Sequence, residues 1–227
     1  MSLRSLAQLA LTKIGARCSP SHIRSLNAAL NYLEVGRWLK SHGFDSSPRY
    51  ATREQLYAAV AAPVAAERVL YLEFGVYYGR TMRSWCSLLT NPETLFHGFD
   101  SFEGLPEAWD AERPKGTFHM RGRLPVFDDP RVRLHRGWFE ETLPSFALPA
   151  HERLVLHMDA DLYSSTKFVL DTLRAQIERG TLIVFDQFCD RHHELRAFSD
   201  FLGETGMTFR FVGATRNLER VAFERTG

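Results

Sequence analysis

The chain has 227 residues, of which 44% are hydrophobic and 24% charged, and its formal net charge is +1. These values are typical of a soluble globular protein and argue against a broad nucleic-acid-binding surface. No apolar run approaches the length of a membrane span, and Cys18, Cys86 and Cys189 lack metal-type spacing. We therefore expect a cytoplasmic protein with one sizeable domain, no nucleic-acid partner and no membrane-spanning segment.

The N-terminal part of the chain is predicted to be helical. Leu3, Ala7, Ala10 and Ile14 recur at helical spacing, and further helices are expected over about 23–40 and 53–62. We interpret residues 1–66 as a helical extension that serves as a lid or as a subunit interface of a homo-oligomer. For the first helix, an ordinary amphipathic helix lying on the domain is favoured over a partner helix or a weak anchor on anionic lipid. Residues 67–227 are then the main domain.

From residue 68 onward, short apolar runs alternate with helical patterns. Strands are expected at 69–74, 94–99, 132–135, 154–158, 181–185, 207–212 and 221–223, and helices at 79–89, 164–179 and 191–204. This alternation predicts an α/β domain with a mainly parallel sheet. The last two strands have no helix between them, so they should pair antiparallel. Residues 103–130 are rich in Pro and Gly, which favours a lid or binding loop.

A glycine turn follows the first strand of this domain, with the sequence Glu73-Phe74-Gly75-Val76-Tyr77-Tyr78-Gly79. Nucleotide-type ligands bind at this position in doubly wound folds. Tyr77 lies where a dinucleotide site needs a glycine beside the pyrophosphate, which disfavours NAD and FAD. A cofactor with a ribose and no phosphate fits better, and Asp100, after the next strand, is placed to bind ribose hydroxyls.

Carboxylates follow two further strands that are neighbours in the predicted sheet. Asp159 and Asp161 come after one strand and Asp186 after the next, so all three should meet at one sheet edge. Such a cluster predicts a cation site or an active site with a general base. His157 is expected to share a face with Asp159, which makes it a second candidate base. A purely structural role, such as helix capping, is the alternative for Asp159 and Asp161.

Four segments carry a resemblance to a known family. They are Leu72-Glu73-Phe74-Gly75-Val76, Gly98-Phe99-Asp100-Ser101-Phe102-Glu103-Gly104-Leu105-Pro106, Gly137-Trp138-Phe139-Glu140-Glu141-Thr142-Leu143-Pro144 and Asp159-Ala160-Asp161-Leu162-Tyr163-Ser164-Ser165-Thr166. Together they resemble class I S-adenosylmethionine-dependent methyltransferases, and more narrowly the macrocin O-methyltransferase family. The resemblance implies a Rossmann-like, seven-stranded, mostly parallel sheet flanked by helices, with the last strand antiparallel.

The resemblance also implies roles for individual residues. The methionine end of S-adenosyl-L-methionine would lie near Glu73, Gly75, Gly79, Arg80 and Thr81, the ribose at Asp100, and the adenine beside Ser101, Gly137, Trp138 and Phe139, with Asp159 close by. A divalent cation such as Mg²⁺ would be held by Asp159, Asp186 and Gln187. Asp161 would be the general base. The family has an acid where this chain has Gln187, and a neutral amide binds hard cations more weakly.

These roles predict an O-methyltransferase acting on a hydroxyl of a small molecule, a sugar or another natural-product scaffold. Two alternatives stay open: a metal-dependent glycosyltransferase that uses the Asp-x-Asp pair, and a cofactor-binding scaffold without catalysis. The sequence does not identify the acceptor. His192, His193 and Glu194 are interpreted as the polar start of a helix, and Arg113, Lys115, His119 and Arg121 as the solvated surface of a lid.

Overall fold

The computed structural model describes residues 2–227, which within that range form one eight-stranded sheet with helices on both faces. The strands are β1 (Arg49–Tyr50), β2 (Val69–Phe74), β3 (Leu95–Asp100), β4 (Val132–Arg136), β5 (Arg153–Met158), β6 (Leu182–Phe185), β7 (Phe209–Thr215) and β8 (Val221–Arg225). The helices are α1 (Leu3–Gly15), α2 (Pro20–Ser41), α3 (Arg53–Ala61), α4 (Arg80–Leu88), α5 (Phe139–Thr142), α6 (Tyr163–Thr172) and α7 (Glu194–Thr205).

The strand order is β1-β7-β8-β6-β5-β2-β3-β4, and β8 runs antiparallel to both of its neighbours while all other pairs are parallel. From β2 the chain proceeds outward through β3 and β4, and then returns to β5 on the other side of β2. The strand order therefore reverses between β2 and β5. In open α/β sheets, ligands bind at the carboxyl ends of the strands at such a reversal.

The central strands are buried on both faces, which explains their continuous apolar runs. Along β2, Leu70, Leu72 and Phe74 pack into one core cluster, whereas Val69 and Tyr71 pack into the other. Alternate residues of a strand point to opposite faces, so each face of β2 supports one layer of helices.

The α/β class, the mostly parallel sheet and the antiparallel last strand are confirmed. The eighth strand, β1, was not predicted, because its two residues are too short to show a strand pattern. Helix α6 ends at Thr172 rather than near residue 179. Leu173 and Ile177 stay fully buried in the turns that follow, so their apolar spacing resembles a continued helix.

Helices α1 and α2, residues 3–41, lie mostly outside the packed domain. No residue of α1 is buried, so this helix does not pack on the domain as an ordinary amphipathic helix would, and in α2 only Val35, Trp38 and Leu39 are buried, where they join the core. The two helices expose large apolar side chains, namely Leu3, Leu6, Leu9, Leu11, Ile14, Ile23, Leu26, Leu30, Tyr32 and Leu33. Across residues 2–227, the helices lack the combination of length and apolarity that crossing a bilayer demands.

Candidate active site

A cavity of about 290 Å³ opens at the carboxyl ends of β2, β3 and β5, where the strand order reverses. Predicted site residues supply one part of its lining: Gly75, Asp100, Ser101, Gly137, Trp138, Phe139, Asp159, Asp161 and Gln187. The remaining lining residues are Tyr77, Gly104, Leu105, Pro106, Trp109, Arg113, Phe118, Glu140, Ala160 and Ser165. The sequence thus predicted the position of the cavity in the fold, although several of the lining residues were not among the predicted site residues.

The glycine turn lies directly against the end of β5. Gly75 has a φ of +94°, and a Cβ at this position would collide with the carbonyl oxygen of Asp159. Only glycine allows this close approach of the two strand ends. Tyr77, two residues on, also has a positive φ of 49°, which is uncommon for a side chain of this size. The turn therefore adopts backbone angles that are unfavourable for most residues, and it does so at the edge of the cavity.

Asp100 holds this turn in place. One carboxylate oxygen accepts hydrogen bonds from the backbone N–H groups of Val76 and Tyr77, both at 2.8 Å. The other oxygen accepts one from the N–H of Phe102 at 2.6 Å. Asp100 also lines the cavity, and the oxygen that accepts only the Phe102 N–H keeps a lone pair for a ligand. Asp100, which was predicted to bind the ribose, thus also stabilises the glycine turn, and the sequence did not indicate this role.

The corner after β4 forms one wall of the cavity. Gly137 donates its N–H to the carbonyl of Asp100 at 3.1 Å, which ties the corner to the end of β3. Trp138 and Phe139 follow, and Phe139 packs edge-on against the core residue Phe74 with ring centroids 5.6 Å apart. The residues predicted to flank an adenine are thereby brought together in the lining of one cavity.

Asp161 faces the cavity in a strained backbone conformation, with φ of 59°. Strained non-glycine residues cluster at functional sites. Burial raises the pKa of the Asp161 carboxyl to about 7, the charge of Asp186 adds to this, and Arg113 opposes it. The pKa of Asp159 is raised well above its ordinary value, first by burial and then by Asp186 and Asp161. A carboxyl group that titrates near neutrality is suited to general base catalysis.

Asp186 does not reach the cavity. Its carboxylate forms a two-point ion pair with Arg220, with Nε to Oδ1 at 2.8 Å and Nη2 to Oδ2 at 2.9 Å. The hydroxyl of Tyr57 also donates to Oδ1, at 3.3 Å. Gln187 lies in the cavity wall, and its N–H donates to the buried carboxyl of Glu194 at 2.8 Å.

The predicted metal site of Asp159, Asp186 and Gln187 therefore needs a correction. Both oxygens of Asp186 are engaged by a guanidinium, so of the three predicted ligands only the Asp159 carboxylate and the Gln187 amide face the cavity. Within residues 2–227, no group of three or more His, Cys, Asp or Glu side chains is arranged to hold a metal ion. Arg220 is the residue that the sequence interpretation missed.

His157, the second candidate base, is buried away from the cavity. Its ring packs edge-on against Tyr57 and Trp85, with centroids 5.3 and 6.3 Å away, and neither ring nitrogen has a hydrogen-bond partner. Burial lowers the pKa of His157 to about 4. The ring is therefore neutral at pH 7, and the structure does not bring it to the reacting groups.

Four residues predicted near the methionine end of the cofactor lie outside the cavity lining. Gly79 caps the start of α4, Arg80 is exposed, and Thr81 is buried in the same helix. Glu73 is fully buried and accepts a hydrogen bond from the Tyr71 hydroxyl at 2.7 Å, while its other oxygen has no partner. Burial raises the pKa of Glu73 to about 8.

The loop after β3 forms another wall of the cavity. Trp109 donates its indole N–H to Asp190 at 3.1 Å, and the guanidinium of Arg113 stacks 3.5 Å from the Trp109 ring centroid. Both residues line the cavity. Arg113 was interpreted as lid surface, yet it faces the site. A tryptophan close to several charged residues, Glu107, Asp110 and Glu112, was the signal that could have indicated this wall.

Comparison with known proteins agrees with this arrangement. A 4'-O-methyltransferase of Streptomyces olivaceus, which acts on 8-demethyl-8-(2,3-dimethoxy-alpha-L-rhamnosyl)-tetracenomycin-C, is 29% identical over 148 residues, covering 51% of this chain and 54% of the relative. Demethyldecarbamoylnovobiocin O-methyltransferase of Streptomyces niveus is 30% identical over 106 residues, covering 39% and 40%. The chain thus spans about half the length, or less, of these curated relatives.

Solved structures share the fold. The O-methyltransferase NovP aligns with a TM-score of 0.59 at 24% identity, covering 77% of this chain and 80% of NovP. The calicheamicin methyltransferase CalS11 aligns with a TM-score of 0.60 at 21% identity, covering 75% and 77%. The model of the macrocin-O-methyltransferase (TylF) family matches residues 53–212, well over half of the chain. The chain belongs to the macrocin O-methyltransferase family.

Proposed function

We propose that this protein is an S-adenosylmethionine-dependent O-methyltransferase that methylates a hydroxyl of a small molecule, a sugar or natural-product scaffold. The observation that carries the proposal is that Asp161 lines one cavity together with two different groups of residues. One group, which we call the cofactor half, is the glycine turn, Asp100 and the aromatic corner at Trp138. The other group is the part of the loop around Trp109. Two groups of this kind suit a cofactor and an acceptor.

The cofactor half matches the chemistry of S-adenosylmethionine. Asp100 offers its free carboxylate lone pair to a ribose hydroxyl, and a charge-assisted hydrogen bond of this kind is strong. Trp138 and Phe139 offer flat apolar surface to an adenine. Tyr77 lies where a pyrophosphate would need close backbone approach, which supports a cofactor without phosphates. When bound, S-adenosylmethionine supplies an activated methyl group.

Methyl transfer to oxygen requires an in-line approach of the acceptor oxygen to the methyl carbon, held in place by the walls of the cavity. Asp161 takes the hydroxyl proton as the new carbon–oxygen bond forms. Burial and the neighbouring acid Asp186 keep its pKa at about 7. A base with that pKa is largely ionised at slightly alkaline pH and still basic enough to remove a proton.

The sequence analysis also predicted that a divalent cation such as Mg²⁺ assists the reaction. The residues present do not fit a metal, because Arg220 already occupies both carboxylate oxygens of Asp186. Without Asp186, the predicted set offers one carboxylate, Asp159, and one neutral amide, Gln187, which is a weak pair of ligands for a hard cation. No step of the proposed mechanism therefore uses a metal ion.

We also propose that helices α1 and α2 help to close the site and form a subunit interface. Ten large apolar side chains of these two helices are exposed, and exposed apolar surface of this kind commonly marks an interface. Arg24 of α2 forms an exposed ion pair with Glu112 in the loop that walls the cavity. Helix α2 thus contacts the loop on the proposed acceptor side, which supports a role in closing the site.

Transfer of a labelled methyl group tests the main proposal. Calorimetry should detect binding of S-adenosylmethionine, and a panel of hydroxylated acceptors should reveal label incorporation. Asp161→Asn should retain cofactor binding but lose about 10²–10⁴ in turnover, the usual worth of a general base. Asp171→Asn, an exposed acid paired with Lys167 on α6, is the matched control and should keep full activity. Absence of cofactor binding, or full activity of Asp161→Asn, would contradict the proposal.

A further inference from the structure

Arg220 and Asp186 face each other because of strand register. In the antiparallel pair of β6 and β8, Phe185 lies opposite Val221, so the next residue outward on each strand is Asp186 and Arg220. Their side chains are only 7% and 19% exposed. Both carboxylate oxygens bind separate guanidinium nitrogens, at 2.8 and 2.9 Å. This fork-to-fork geometry is the strongest form of a protein ion pair.

The turn between β7 and β8 holds Arg220 in place. The N–H of Arg220 donates to the hydroxyl of Thr215 at 3.1 Å, and the N–H of Thr215 donates to the carbonyl of Arg220 at 2.9 Å. The neighbouring Glu219 pairs with a third guanidinium nitrogen. The guanidinium is therefore anchored from two directions. A divalent cation at Asp186 would have to displace it and would be repelled by its charge.

We infer that the guanidinium of Arg220 is the resident cation of this acidic sheet edge, and that the protein works without a divalent metal. The second part of this inference, catalysis without a metal, rests on the proposed function. Arg220 does not line the cavity, so it is a positioning residue that acts through Asp186. In the reaction, the methyl carbon–sulfur bond breaks and its electrons stay on sulfur. The methyl carbon–oxygen bond forms, and the hydroxyl proton passes to Asp161.

This arrangement separates charge neutralisation from acceptor activation. A metal ion between Asp159, Asp186 and Gln187 would do both, because it neutralises the acids and acidifies a bound hydroxyl. Arg220 can do only the first, since it is buried beyond the cavity wall. The acceptor hydroxyl therefore meets Asp161 without help from a Lewis acid.

The wild-type protein provides the first test, with Mn²⁺ as a spectroscopic substitute for Mg²⁺. Protein that has been treated with chelator is mixed with equimolar Mn²⁺, and free Mn²⁺ is measured by electron paramagnetic resonance. We expect all the Mn²⁺ to remain free, and we expect equal methyl-transfer rates in excess chelator and in excess Mg²⁺. Uptake of one Mn²⁺ per chain, or activity abolished by chelator and restored by Mg²⁺, would overturn the inference.

Arg220→Met provides the second test, because it leaves Asp186 buried without its cation. Breaking a buried pair from one side is strongly destabilising, so the Tm should fall on the order of 10 °C, and added Mn²⁺ should restore part of the loss. Arg210→Met is the matched control, since Arg210 forms an exposed ion pair with Glu224 in the same part of the sheet. Its Tm should change little. An Arg220→Met protein as stable as wild type would also overturn the inference.

The two proposals can fail separately. Mn²⁺ uptake by the wild-type protein requires neither cofactor nor acceptor, and it stays informative even where Arg220→Met does not fold. A protein that takes up no Mn²⁺ but transfers no methyl group to any acceptor would retain Arg220 as the resident cation. That result would instead count against the proposed function.

Discussion

The buried carboxyl of Glu73 makes the stability of this protein depend on pH in a specific window. Glu73 is fully buried in β2, and burial raises its pKa from an ordinary value of 4.5 to about 8. Between these values the folded protein holds a proton that the unfolded chain has released. Stability must therefore fall as pH rises through this range. The perturbation that tests this is Glu73→Gln, which keeps an acceptor for the Tyr71 hydroxyl and cannot titrate.

His157 narrows the pH range in which Glu73 alone changes the stability, because protonation of His157 affects the stability in the opposite direction. Burial lowers its pKa from 6.5 to about 4, so below 6.5 the unfolded chain binds a proton that the folded protein does not. Stability from this residue rises with pH up to 6.5, where its effect ends. Of these two residues, only Glu73 changes the stability between pH 6.5 and 8. One pKa unit corresponds to about 1.4 kcal/mol, so its contribution over this window is a loss of about 2 kcal/mol.

The assay is urea unfolding followed by circular dichroism at pH 6.5, 7.2 and 8.0 for wild type and Glu73→Gln. The free energy of unfolding of the variant, relative to wild type, should increase by about 2 kcal/mol across the series. Because other titrating groups are common to both proteins, this difference isolates Glu73. Glu93→Gln, at an exposed position, should give a constant difference. A constant difference for Glu73→Gln as well would refute the argument.

Three further outcomes are expected. Asp100→Ala should weaken S-adenosylmethionine binding by about 1–3 kcal/mol in calorimetry, through lost charge-assisted hydrogen bonds and a loosened glycine turn; unchanged affinity would contradict its role. Gly75→Ala should lower the Tm by several degrees, because its Cβ would collide with the Asp159 carbonyl; an unchanged Tm would show that the strand ends can separate freely. Deleting residues 1–33, which spares the buried Val35, Trp38 and Leu39, should give a smaller assembly in light scattering and reduce turnover more than cofactor affinity; a truncated protein of unchanged assembly size and activity would exclude the interface.

The sequence predicted the fold and the place of the cavity because both depend on local patterns. Apolar runs ending in Gly75, Asp100 and Asp159 mark strand ends, and parallel strands bring such ends together. His157 shows where this reasoning fails. Alternation of faces holds only inside a strand, and β5 ends at Met158, so a shared face with Asp159 could not be assumed.

The pairing of Asp186 with Arg220 required information that no local pattern holds. The two residues are 34 positions apart, and they meet only because β8 runs antiparallel to β6 in one particular register. The antiparallel direction was predicted, but its register was not. A shift by one residue would have turned Arg220 to the other face of the sheet. The register of β8 against β6 therefore determines that Asp186 pairs with a guanidinium and not with the predicted metal ion.

The four tryptophans of the chain are divided between two environments. Trp38 and Trp85 are buried in the core, whereas Trp138 and Trp109 line the cavity. Ligand-dependent changes in intrinsic fluorescence can therefore be assigned to the two cavity tryptophans without any attached dye. A Trp109→Phe protein keeps Trp138 as its one cavity tryptophan, beside the expected adenine, and Trp138→Phe keeps Trp109, beside the expected acceptor. The order in which the two ligands enter the cavity becomes measurable by stopped-flow emission.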